Sequence, residues 1–203
     1  MHKIAALFVA VLALASCVGI DSTLTIHDNG SGTLDLSYRV SQSVAQLGLS
    51  TSGKPVIPLP VSRSDFERSL APTNGKVRLT KFERTENEKD ITIKTQMAFD
   101  SLEALSQVAA FRDADLKPGT DGSRRTYSQV IGRALPTPLN DQSKRMIETL
   151  FAGYDLSFTI QAPRAIQSTS LGTLSADKKS VAYRVSVIDV LETTSDLVLT
   201  LSW

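Results

Sequence analysis

The chain is divided at its only cysteine. Residues 1–16 hold a short basic start (His2, Lys3), a twelve-residue apolar stretch over 4–15, and small residues that lead to Cys17. These are the three parts of a secretory signal. Twelve apolar residues fall short of the about 20 that a helix needs to span ~30 Å of hydrocarbon. Leu14-Ala15-Ser16-Cys17 reads as a bacterial lipobox. Cleavage before Cys17 would leave an N-terminal cysteine carrying palmitate-type acyl chains, each CH₂ adding ~0.8 kcal/mol to membrane partition. The alternatives are a plain cleaved signal or an uncleaved anchor. A plain signal would leave a free thiol outside the cytosol, open to oxidation and unwanted pairing.

This division sets what the rest can be. Residues 1–16 are expected as a cleaved signal, 17–22 as a lipidated tether, and 23–203 as a single ectodomain at a bacterial membrane, outside the cytoplasm. The 187 residues that follow the signal suffice for one well-buried core. They carry 21 Lys+Arg against 21 Asp+Glu, so no net field attracts nucleic acid. With the thiol acylated, no disulfide can form within the body, and packing alone must stabilise it.

Histidine usage narrows the chemistry further. His2 leaves with the signal, and His27 alone remains. A Cys/His zinc cluster cannot be built, and Cys–His catalysis loses its thiol. No Gly-x-Ser-x-Gly elbow partners His27. Asp113, Asp115 and Asp121 fail the spacing of a calcium loop and read as a solvated loop. Glu83, Glu86, Glu88 and Asp90 alternate with Lys81, Arg84 and Lys89 at a turn, as an ordinary charged edge does. The chain is therefore expected to have no catalytic residues, no metal and no cofactor, and not to be an enzyme.

Apolar periodicity supplies the elements. Residues 23–27 and 33–40 alternate around Asp28-Asn29-Gly30-Ser31-Gly32, predicting a β-hairpin with one apolar face. Residues 41–49 suggest a helix turn. Ser64-Asp65-Phe66-Glu67 predicts a capping box for a short helix ending near Ala71. Residues 76–84 and 90–99 form a second hairpin. Asp100 is placed as the cap of a helix carrying Leu102, Leu105 and Val108. Residues 111–124 read as a polar loop and 125–131 as a strand. A helix from Pro138 to about Ala152, stopped by Gly153, carries a core stripe of Met146, Ile147, Leu150, Phe151 and Tyr154. Three alternating strands close the sequence, through Leu156–Ile160, Val181–Val187 and Leu197–Trp203. The expected class is α+β: an antiparallel sheet with two or three helices on one face.

One segment resists both periods. Between Pro55, Pro58 and Pro60 lie Val56, Ile57 and Leu59, with Val61 following. Prolines block ladder bonding and helix continuation, so these four aliphatic residues are candidate contacts for a ligand or partner, or a loop folded on the core.

Two regions resemble a known family. Cys17-Val18-Gly19-Ile20-Asp21, with Leu24-Thr25-Ile26 and Asp28-Asn29-Gly30-Ser31-Gly32, resembles the start of LppM-like bacterial lipoproteins. Phe158–Pro163, Ala176–Val181 and Leu197–Trp203 resemble their distal end. The resemblance implies an α+β envelope domain that binds a lipid or glycolipid and does no catalysis. Many members continue into a transmembrane helix, which the sequence to Trp203 does not contain. The expected partners are the membrane, through the anchor, and a lipid or other amphiphile. The competing expectation is a structural or assembly lipoprotein that contacts an envelope protein.

Overall fold

A computed structural model describes residues 18–42, 60–151 and 154–203. The first hairpin begins earlier than its alternation suggests. β1 (Val18–Ile26) pairs antiparallel with β2 (Gly32–Ser41) from Val18↔Val40 to Ile26↔Gly32. The segment expected as a tether, residues 18–22, is thus ladder-bonded strand. Period-2 alternation buries Leu24, Ile26, Leu34, Tyr38 and Val40 on one face. In the turn, Asn29 Oδ1 accepts from the Ser31 backbone N–H at 3.0 Å, and Gly30 takes φ 85°.

β3 (Val77–Glu86) and β4 (Asp90–Phe99) form the second hairpin, and β4 lies along β2 from Gly32↔Phe99 to Ser41↔Asp90. With β7 (Asp155–Gln161), β9 (Thr173–Leu174) and β10 (Ser180–Ser186), the order is β3-β4-β2-β1-β7-β10-β9. All neighbours are antiparallel except β1 and β7, which run parallel, Ile20 opposite Leu156. The sheet is therefore mixed, not purely antiparallel. β2 occupies one edge of β1, and β7 arrives at the other by a crossover that enters from the same end.

A second sheet, which alternation alone does not separate from the first, has the order β5-β6-β11-β8. Its strands are β5 (Lys117–Asp121), β6 (Arg124–Gly132), β8 (Ser168–Thr169) and β11 (Leu197–Ser202), all antiparallel. The region read as a polar loop over 111–124 contains β5. Pro118 and Gly119 hid it, and an edge strand is where a missing N–H is tolerated.

The described residues hold five helices instead of two or three. α1 (Arg63–Leu70) is capped by Ser62, which exchanges bonds with Asp65 in a capping box two residues before the expected one. α2 (Leu102–Ser106) is capped by Ser101, because Asp100 bonds Arg78 at 2.9 Å instead. α3 (Ala109–Asp113) follows at once. α4 (Asp141–Phe151) is the expected helix but starts three residues after Pro138, where Asn140 Oδ1 accepts from the Ser143 N–H at 2.8 Å; Ala152 and Gly153 lie outside the described residues. α5 (Val187–Glu192), capped by Ser186, turns the chain out of β10 where continued alternation suggested strand.

One buried cluster joins both sheets. Leu34, Tyr38, Ile93 and Phe99 contribute from the first, Tyr127, Leu199 and Leu201 from the second, with Phe66 and Leu105 from the helices. On α4, Ile147 and Phe151 are buried, but Met146 is 40% exposed and so does not belong to a core stripe. The outer face of the seven-stranded sheet is left uncovered by the second sheet. The end of that sheet where β1 begins also holds the starts of β4 and β7 and the ends of β2 and β10.

Candidate functional site: a polar trough at the start of the first strand

The predicted contact segment is described only at its end. Cys17, Val56, Ile57 and Leu59 lie outside the described residues, as do 43–49 of the expected helix turn. Val61 is half-buried. Beside it, the Tyr38 hydroxyl donates to the Pro60 carbonyl. The Tyr38 ring lies 6.5 Å from Phe66, which meets Phe82 edge-on at 5.8 Å. Burial pushes the Tyr38 phenol well above its ordinary pKa, and the Asp65 carboxylate adds to the shift. Residue 60 is thus held against the core at the inner face of β2.

Among the described residues, the space where Leu24 and Leu34 meet Leu199 between the sheets is small. Leu24, Leu34, Phe158 and Leu199 surround a cavity of about 10 Å³. A space of ~10–15 Å³ holds at most one water, so no acyl chain fits there.

The weaker sequence candidates scatter. His27 is exposed, its Nδ1 3.2 Å from Ser31 Oγ. Asp115 pairs with Lys117 at 2.7 Å, while Asp113 lies 4.0 Å from Arg112 and Asp121 ends β5 opposite Arg124. Glu86 pairs with Arg84, and Asp90 accepts from the Tyr154 hydroxyl at 2.9 Å. Glu83 sits opposite Lys94 on β4, facing away from the inner face. Among the described residues, no group of three or more His, Cys, Asp or Glu could hold a metal ion.

The feature that sequence reasoning missed is a concavity of about 370 Å³ on the outer face of the seven-stranded sheet. Register places Lys94, Ser37, Asp21, Ser157 and Arg184 in one row across β4, β2, β1, β7 and β10. The adjoining row, nearer the end of the sheet, carries Thr92, Arg39 and Gly19. Short side chains make the floor, and long charged ones the walls. Gly19 lies close beneath two of these walls: a Cβ there would be in ordinary contact with the Tyr154 ring at 3.4 Å and Arg39 Nη2 at 3.6 Å. The Arg39 guanidinium lies over the Tyr154 ring, 5.1 Å from its centroid. Arg184 Nε donates to Asp155 Oδ2 at 3.0 Å, so those two charges largely cancel. Among the described residues, Lys94 and Asp21 make no ion pair, and the Ser37 and Ser157 hydroxyls make no hydrogen bond. The outward half of each strand's alternation was legible, but which outward residues become neighbours was not.

No family model matches the chain, and no curated protein does. Among solved structures, the folded domain of Mycobacterium tuberculosis LppM, determined by NMR, superposes with a TM-score of 0.51. The match spans 92% of this chain and 88% of that one, at 12% identity. The chain has an LppM-like fold. The LppM likeness extends along both sheets, so the resemblance read at the first hairpin and the distal strands is one of architecture. At 12% identity it rests on backbone pattern and carries no side-chain role across.

Proposed function

We propose that the chain is a membrane-anchored bacterial envelope lipoprotein whose ectodomain binds a lipid or other amphiphile and does no catalysis. One observation carries this reading. β1 begins at Val18, the residue after the lipobox cysteine, and the trough opens at Gly19. Two residues of chain span at most about 7 Å, so Gly19 cannot stand farther than that from Cys17. A lipid on Cys17 therefore holds the trough at headgroup level. The LppM-like fold supports the same reading. Because the cavity that Leu24, Leu34, Phe158 and Leu199 surround is too small for an acyl chain, the amphiphile is placed with its polar end in the surface trough and its chains left in the bilayer.

The test has two parts. Cells given an alkyne palmitate analogue should label the wild-type chain, and C17A should lose both the label and the membrane fraction. Organic extraction of the purified wild-type protein should release envelope lipid. An unlabelled chain in the aqueous fraction would overturn the anchor, and an extract free of lipid would overturn the binding role.

The competing reading, an assembly lipoprotein, is favoured by one feature. Leu135, Pro138, Leu139 and Leu191 wall a groove of about 220 Å³ on the α4–α5 corner, and Met146 is exposed on α4. A photo-crosslinker at position 146 should then trap one defined envelope protein in intact cells, and failure to do so removes this reading.

A further inference from the structure

The charges of the trough alternate in sign across the strands and are not uniformly basic. From this we infer that the trough binds a phosphate–ammonium zwitterion of the phosphoethanolamine type. Lys94 and Arg39 take the phosphate, and Asp21 takes the ammonium. The inference deepens the lipid-binding reading and rests on it only for the source of the ligand.

The phosphate half is built first. Lys94 lies directly opposite Ser37, and Arg39 is two residues along β2 from Ser37, so the two cations are diagonal neighbours on one face. Diagonal positions on adjacent strands stand ~7–8 Å apart, within reach of long side chains converging on one group. The Ser37 hydroxyl lies between them and has no hydrogen-bond partner among the described residues. Lys94 likewise has no ion pair there. Two cations and a hydroxyl donor match the acceptor-rich oxygens of a phosphate.

Asp21 decides the class. It sits one strand over, directly opposite Ser37 on β1, some 4.8 Å away across the ladder. Its carboxylate would repel a bare anion at the Lys94 position. The same carboxylate attracts an ammonium held a short arm away from that phosphate. Arg184 and Asp155 neutralise each other beside it, and Glu83, opposite Lys94 on β3, lies outside the trough lining, so Asp21 is the acid within the trough left to receive a cation. The edge of the Tyr154 ring adjoins Gly19 at the end of the trough, and the methylenes of the ethanolamine arm are placed beside it. The body outside the signal carries no net charge, so this local pattern, not a long-range field, selects the ligand.

All these groups face water, where a single ion pair contributes little. The free group is therefore expected to bind at about millimolar Kd. Anchoring raises its effective concentration, because the trough and the headgroups share one surface.

The experiment uses the full-length protein in neutral detergent, with amide shifts at Ser37, Lys94 and Asp21 as the readout. Phosphoethanolamine and inorganic phosphate are the two titrants. Phosphoethanolamine should shift all three positions and bind tighter than phosphate. K94Q should weaken both by about fivefold, the scale of one exposed charge pair. D21N should weaken phosphoethanolamine while strengthening phosphate, a change of opposite sign that a merely structural effect would not produce. Movement of both ligands in one direction in D21N, or no shift at Ser37 and Lys94 with either, overturns the inference. Vesicles of phosphatidylglycerol with and without phosphatidylethanolamine then identify the source. Preference for the mixed vesicles assigns the lipid headgroup, and binding to the soluble ester alone upholds the site with the free ester as ligand. Loss of palmitate labelling would overturn the anchor and leave the titrations unaffected.

Discussion

At the scale of single residues, close approach and burial dominate. A Cβ at Gly32 would lie 2.0 Å from the Thr25 carbonyl oxygen and 2.5 Å from Phe99 Cζ. One of those neighbours is backbone and cannot move aside. G32A should lower the unfolding free energy by about 2–3 kcal/mol, read from urea denaturation. Y38F keeps the ring against Phe66 but leaves the Pro60 carbonyl without its donor. It should cost about 1–2 kcal/mol, and an unchanged midpoint would show that the bond contributes nothing. Burial raises both the Tyr38 and Tyr127 phenols above their ordinary pKa. Unfolded tyrosines ionise near ~10, so below that pH both states keep the proton and this stability is complete. Above it the unfolded chain loses protons first, and stability falls as pH rises. The urea midpoint should therefore drop above about pH 10, less steeply in Y127F than in the wild type.

At the scale of elements, caps decide where helices start. The Asp65 N–H donates to Ser62 Oγ at 3.2 Å, and the Ser62 N–H donates to Asp65 Oδ2 at 3.2 Å. S62A should lose about 1 kcal/mol by denaturant unfolding, and S62T should restore most of it. The hairpins were legible because their apolar alternation is local and their turns carry Asn, Asp and Gly. α5 was not, because Val181, Tyr183, Val185 and Val187 continue one strand-like alternation. The chain turns there because Ser186 caps the helix through Asp189, and because Val190 seats on Gly132, where a Cβ would be only 2.4 Å from its Cγ1. That second condition comes from β6, more than fifty residues earlier. β5 was missed for a similar reason, since Pro118 and Gly119 signal a loop until an edge position is available for them.

At the scale of the whole molecule, the two sheets share one core and should unfold together. Leu199 on β11 faces Leu24 and Leu34 across the inter-sheet space. L199A should cost about 3 kcal/mol, because the space it leaves lies within a packed cluster. Trp203, the only tryptophan, is buried at the end of β11 and reports on the second sheet. Its fluorescence and the amide protection of β2 should lose structure at one urea midpoint in both wild type and L199A. Two separate midpoints would show that the sheets are independent units.

The sequence by itself determined which residues face inward on the strands it made legible, where the two hairpins turn, and that a chain with a single cysteine folds without an internal disulfide. It also placed Cys17 directly before the residue at which the first strand begins. Tertiary structure alone decided that the strands divide into two sheets, that β7 runs parallel to β1, and that Lys94, Ser37, Asp21 and Ser157 lie side by side. Alternation is a local property set by the pleat, so it shows the face of a residue. Neighbours across strands depend on register and order, which are set by contacts between segments distant in the chain, as Asp21 is from Ser157.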